Sequence, residues 1–196
     1  MPRIAPLARD DLAEFEPFFQ IVEQAMGFVP ASLLTMGRNP ELLRSFAGLT
    51  GTVLAGSRLP ADLVQLVAFV ASRAAGCAYC QAHTAHGAHR AGVSTEKLDA
   101  AFDVDRSPLF DGRERAALGL ARDAALVPNA VRDAHFDALR EHFSEEEIVD
   151  LVAVISLFGW LNRWNDSVAT ELEASPRAFA RNHLAPHGWD AGKHGR

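Results

Sequence analysis

The sequence predicts an all-α fold, and three observations predict it. No segment of strand length alternates apolar and polar residues. Apolar residues recur instead at spacings of three and four in one block after another. The blocks are punctuated by helix signals: Gly or Pro between them, and Ser or Asp with a Glu three residues on.

Taken in order, the blocks define about eight helices. Asp11 to Ala25 places Leu12, Phe15, Phe18, Phe19, Val22 and Ala25 on one face, and Gly27-Phe-Val-Pro ends it. Pro30 to Met36 is a short helix stopped at Gly37, and Pro40 to Leu54 is the next, with Pro at a start position where its missing N–H is no loss. Pro60 to Ala75 turns Leu63, Leu66, Val67, Val70 and Ala74 inward, and Gly76 is suited to the left-handed residue that closes a helix. A helix from Cys77 to about Ala91 follows, stopped by Gly92. Ser94 caps Thr95 to Phe102. Asp111 with Glu114 opens a helix to about Leu126, and Val131 to Phe143 is helical. Ser144 with Glu147 forms a capping box for a last long helix to about Glu173. The tail 174–196, with Pro176, Pro186, Gly188 and Gly192, is expected to be irregular. The domain organisation is a single domain over 1–196, with a core of about 27–173 and an N-terminal helical arm at 1–26.

Composition excludes several functions. The net charge is -6 and Lys and Arg are scattered, which argues against a nucleic-acid-binding face. The longest apolar stretch, Ile148 to Leu161, contains Asp150 and is shorter than the roughly 20 residues that span a bilayer. The N-terminus has no signal-type apolar segment. A cytoplasmic protein is expected, without membrane or nucleic-acid partners.

The chemistry is expected at Cys77 and Cys80, the only two cysteines. A bridge between them closes almost no loop, so it would add little stability. Three arguments make them reactive thiols. Cys77 falls at a helix start, where free N–H groups and the dipole stabilise a thiolate. Spacing of three puts the sulfurs one turn apart. His83 lies a turn beyond Cys80 and can exchange a proton or pair with a thiolate. On a helical projection Thr84 lies about 40° and His83 about 60° from Cys80, on opposite sides, whereas His86 lies about 180° from Cys77.

Each assignment has a plainer rival. Buried cysteines can be small hydrophobes. His83 can be a packing residue, and Tyr79 most simply is one. Cys77, Cys80, His83 and His86 invite a zinc site, but along one helix they rise about 13 Å and cannot share one ion, so no metal is expected. Asn162, Arg163, Asn165 and Asp166 interrupt an apolar helix and are read as a structural network or subunit contact, with a pocket wall as the alternative.

A helix from Leu63, then Gly76-Cys77-Ala78-Tyr79-Cys80 with a His soon after and an Ala-Gly stop, resembles the AhpD-like (alkylhydroperoxidase D-like) branch of the carboxymuconolactone decarboxylase family. The Gly-Trp-Leu-Asn-Arg-Trp-Asn-Asp stretch at 159–166 is similar to that family's closing helix. The resemblance runs from about Gly27 to about Glu173 and extends to peroxidase-related members. It implies a homo-oligomer that reduces a hydroperoxide without bound cofactor. By it, Cys80 attacks the peroxide and Cys77 closes a disulfide, which an external dithiol reduces. The family motif carries a Glu twelve residues before the first cysteine and a His four after the second. Here those positions are Gln65 and Thr84, with His83 one residue early and Tyr79 before Cys80. Gln cannot take a proton as a carboxylate does, which leaves three alternatives open: His83 takes over the relay, the enzyme is slow, or its substrate differs. A decarboxylase-type enzyme on the same fold and a non-catalytic, redox-responsive oligomer are the rival readings.

Overall fold

The computed structural model describes residues 1–195 and is all-helical, with no strand among the described residues. Ten α-helices run α1 (Glu16–Met26), α2 (Ala31–Met36), α3 (Pro40–Thr50), α4 (Ala61–Ala74), α5 (Ala78–Arg90), α6 (Thr95–Ala100), α7 (Gly112–Ala124), α8 (Asp133–Arg140), α9 (Glu145–Val168) and α10 (Ala174–His183). No helix is long and apolar enough to cross a membrane among the described residues.

The most apolar segment takes the centre. Helix α4 buries every residue from Leu63 to Ser72 except Gln65, and packs on α5, α7 and α9. Phe69, Val67 and Leu66 there, Leu118 and Leu120 of α7, and Leu151 and Val154 of α9 are at most 1% exposed, so one core spans these three helices. A Leu cut to Ala in such a core costs about 2–5 kcal/mol. Helices α4 and α5 form a tight hairpin, and Gly76 makes the turn at φ 76°, in the left-handed region that favours glycine.

The capping signals act as the sequence implies. Asp111 with Glu114 and Ser144 with Glu147 both form complete capping boxes, and Ser94 accepts a hydrogen bond from the Lys97 N–H.

Three expectations need correction. The first predicted helix is two pieces: a 3₁₀ segment over Arg9–Phe15, then α1 from Glu16. Pro17 is the cause, because its ring and missing N–H exclude a continuous α-helix through residue 13 but suit a first turn. The last long helix stops at Val168 rather than near Glu173, where Ala169 turns left-handed at φ 53°. The tail is ordered rather than irregular. Pro176 sits in the first turn of α10, where no N–H is needed, and Phe179 of that helix packs on the His86 and His89 rings of α5. Trp189 anchors the following segment by donating its Nε1–H to the Ala78 carbonyl, 3.0 Å away.

Candidate functional site

The two cysteines open α5. Cys77 is the N-cap residue, one position before the helix proper, and its Sγ accepts the Cys80 backbone N–H at 3.5 Å. Cys80 lies in the first turn, and its Sγ accepts a hydrogen bond from Asn165 Nδ2 of α9 at 3.4 Å. Both thiols are free and buried. The pair is electrostatically unequal. The Cys77 thiol is held below its usual range by its hydrogen bond with the Cys80 side chain, which outweighs burial, and by the N–H groups of the helix start. Burial pushes the Cys80 thiol well up, and the proximity of Cys77 adds to that. The pair therefore carries its first negative charge on Cys77, with Cys80 as the donor to it.

The neighbours divide into two groups. On one side His83 Nε2 lies 2.6 Å from Glu173 Oε2, and Tyr79 stacks on the His83 ring with centroids 4.2 Å apart. The Tyr79 hydroxyl and the Ala31 N–H donate to Glu173 Oε1, at 3.1 and 2.7 Å. Burial raises the Glu173 carboxyl, but His83 and the surrounding donors outweigh it and leave it below the ordinary range. Burial pushes the Tyr79 phenol well up, so it stays a neutral donor. His83 thus belongs to a Glu173-centred knot that ties α5 to α2 and to the start of α10.

On the other side a sulfur, a carboxylate and an imidazole converge. Cys77 Sγ, an Asp166 carboxylate oxygen and a His194 ring nitrogen all lie within 4.8 Å of one another. Asp166 Oδ1 is already paired with Lys193 Nζ at 2.7 Å, so the trio is charge-compensated rather than an open ion cage. Asp166 also lines a cleft of about 790 Å³ whose walls include Leu126, Val127, Phe136, Ile155 and Asn162. Asn162 is buried and neither of its side-chain polar atoms has a partner. The 162–166 stretch therefore serves in both ways read for it: Asn165 and Asp166 join a structural network with Cys80, Thr170 and Lys193, and Asn162, Arg163 and Asp166 line a pocket wall.

Two of the sequence candidates stand further from the sulfurs. The Thr84 hydroxyl donates to the Cys80 carbonyl at 2.7 Å, which caps backbone rather than sulfur. Gln65 packs against Gly87, where an added Cβ would lie 2.5 Å from its Oε1. Gly87 is seven residues, about 10 Å along the axis, beyond Cys80. Glu173, Asn165, Asp166 and His194 were not singled out as thiol-site residues. Asn165 and Asp166 carried a signal, being polar in an apolar helix, whereas His194 lies in a segment whose glycines and prolines masked it.

The family model described as the carboxymuconolactone decarboxylase family matches residues 40–123, which include α3, α4, α5 and both cysteines. A Cys-to-Ala variant of the debrominase Bmp8, in complex with 2,3,4-tribromopyrrole, superposes with a TM-score of 0.86 at 38% identity, over 91% of this chain and 96% of that one. The chain belongs to the carboxymuconolactone decarboxylase family. Within it the helical arrangement is AhpD-like: an Agrobacterium tumefaciens protein named for the antioxidant defence protein AhpD superposes with a TM-score of 0.66 at 25% identity, over 71% of this chain and 95% of that one. The curated relative YnjA of Escherichia coli K12 is 37% identical over 75 residues, or 38% of this chain, and the match spans only 41% of that relative.

Proposed function

We propose that this family member is a dithiol oxidoreductase that reduces a small organic hydroperoxide through Cys80 and Cys77. The observation that carries the reading is the unequal, hydrogen-bonded thiol pair at the start of α5. Transfer of the Cys80 proton to Cys77 makes Cys80 the nucleophile, with Asn165 N–H already on its sulfur. Cys80 sulfur attacks the terminal peroxide oxygen, the O–O bond breaks, and the leaving alkoxide takes the proton that Cys77 holds, which frees the alcohol and returns Cys77 to thiolate. Cys77 thiolate then attacks the sulfenic sulfur, the S–O bond breaks, and hydroxide leaves as water on taking a proton. The peroxide gains two electrons and the dithiol loses two. An external dithiol restores the pair by exchange. The cleft beside Asp166, with its apolar walls, supports an organic substrate rather than hydrogen peroxide alone. Val149, Val152 and Trp160 are exposed along α9, which supports assembly as a homo-oligomer.

A second reading has its own support in the likeness to Bmp8 over nearly the whole chain. The same dithiol would reduce a halogenated heteroaromatic. Cys80 sulfur takes the bromine, the carbon left behind takes a proton, and Cys77 displaces bromide as the disulfide forms. Turnover of cumene hydroperoxide and of 2,3,4-tribromopyrrole, each with excess dithiothreitol, decides between them. The proposal expects peroxide turnover that Cys80→Ser abolishes. Debromination alone supports the second reading. Turnover of neither, or turnover unchanged in Cys80→Ser, overturns the dithiol mechanism and returns attention to decarboxylase chemistry.

A further inference from the structure

The proton relay implied by the family motif is missing its Glu and its His, because Gln65 and Thr84 stand in their places. His83 is committed to Glu173. A thiol pair that cycles between dithiol and disulfide still has to store and return a proton. A different imidazole is in position to do so.

His194 is 1% exposed. Its Nδ1 lies 2.8 Å from the Thr170 carbonyl, an acceptor only, so Nδ1 carries the hydrogen. Its Nε2 is then a bare lone pair, buried and without a hydrogen-bond partner. That nitrogen is 3.7 Å from Asp166 Oδ1, in the cluster that contains Cys77 Sγ. An unpartnered acceptor in a sealed site is costly, and one that is kept calls for a role. The segment holding it is fixed at several points. The Leu172 N–H donates to the His194 carbonyl at 2.9 Å, Lys193 pairs with Asp166, and Trp189 bonds Ala78.

We propose that His194 is the proton acceptor of the Cys77 thiol, with Asp166 as the counter-charge of the imidazolium that forms. This rests on Cys77 being a working thiol, as the proposed function has it. The proton passes from Cys77 Sγ to His194 Nε2, giving a thiolate and an imidazolium. When Cys77 thiolate attacks the oxidised Cys80 sulfur, the S–S bond forms and the S–O bond breaks. The departing hydroxide takes the Nε2 proton as water, and His194 returns to neutrality. The charged and titratable groups around the ring are Cys77 at the N-cap of α5, Tyr79 of α5, Asp166 of α9 and Lys193 of its own turn, with Cys80 hydrogen-bonded to Cys77. Burial holds the imidazole below its usual range despite Asp166, which keeps it neutral and able to accept at neutral pH.

The test is the pH profile of Cys77 ionisation, read by ultraviolet thiolate absorbance in the full-length Cys80→Ser chain, with and without His194→Asn. Asn keeps an N–H for the Thr170 carbonyl and lacks the Nε2 lone pair. The thiolate midpoint is expected to rise by about one pH unit, roughly a tenfold loss of thiolate at neutral pH, while His83→Asn leaves it in place. An unmoved midpoint with unchanged melting temperature, or an equal rise in His83→Asn, overturns the proposal. Should His194→Asn lower the melting temperature as well, NMR of the His194 ring in the otherwise native chain decides. Its protonation is expected to follow Cys77 ionisation, and to lose that coupling in Cys77→Ser; coupling that survives Cys77→Ser overturns it. Neither readout uses peroxide, so failure of the peroxidase reading leaves this result independent.

Discussion

Glu173 joins three elements through one carboxylate, so its removal tests how this site is held. It accepts from the Ala31 N–H, the Tyr79 hydroxyl and His83 Nε2 at 2.7, 3.1 and 2.6 Å. Glu173→Ala leaves all three groups without their acceptor. An unsatisfied buried donor costs about 1–3 kcal/mol, and the site is 16% exposed at the Glu side chain, so water reaches part of it and the lower end applies to each. The sum is about 3 kcal/mol, and a chain of this size loses roughly 2–4 °C of melting temperature per kcal/mol, or about 6–12 °C in all. Glu173→Gln keeps an acceptor oxygen and should fall less. The pH dependence follows from the sign of the shift. A carboxylate held below its unfolded value contributes its full stabilisation above that value, near 4.3, and loses it as pH falls through the folded pKa. The gap between wild type and Glu173→Ala should therefore be full at neutral pH and shrink on acidification below about 4. Differential scanning calorimetry across that range is the assay. A loss under about 2 °C at neutral pH, or a gap that widens on acidification, would refute the reasoning.

Other consequences are as direct. Asn165→Leu removes the N–H donor on Cys80 sulfur; turnover of an organic hydroperoxide should fall at least tenfold, with the Cys80 midpoint raised in a thiolate titration of the Cys77→Ser chain. Gly87→Ala sets a methyl against Gln65 Oε1, the far end of a flexible side chain that can turn aside, and gains about 0.5–1 kcal/mol of helix propensity; urea unfolding should therefore shift by less than about 1 kcal/mol, and a loss of about 3 kcal/mol would show that Gln65 is locked in place. Trp189→Phe loses the bond to the Ala78 carbonyl; hydrogen exchange should then quicken in 185–195 while the core stays protected, at a cost of about 1 kcal/mol.

How much of this was legible in the sequence differs by element. Helices with their own caps and breakers, such as α7 with Asp111 and Glu114 and α9 with Ser144 and Glu147, are written locally and form as read. Gly76 likewise declares the α4–α5 turn. Where two meanings share one residue, sequence reading fails. Pro176 reads locally as a helix breaker and instead stands in the first turn of a helix, and Pro17 divides a segment that apolar spacing makes look continuous. The site follows the same division. The two cysteines are neighbours along the chain, so their meeting is visible from spacing. Glu173 is 90 residues from His83, and Asn165 is 85 from Cys80. Pairing at that range is set by how α9 and the chain after it cross α5, which no local pattern encodes. His83 was a fair candidate for a thiol partner, since helical projection fixes its angle, but projection cannot reveal that a carboxylate waits on that face.

The most direct test of the dithiol account is the intact mass of the reduced protein before and after one equivalent of cumene hydroperoxide, with alkylation of the thiols that remain. The account predicts loss of two hydrogens and of both alkylation sites within seconds, as Cys77 and Cys80 join. Two thiols still open to alkylation under denaturing conditions after prolonged exposure would contradict it.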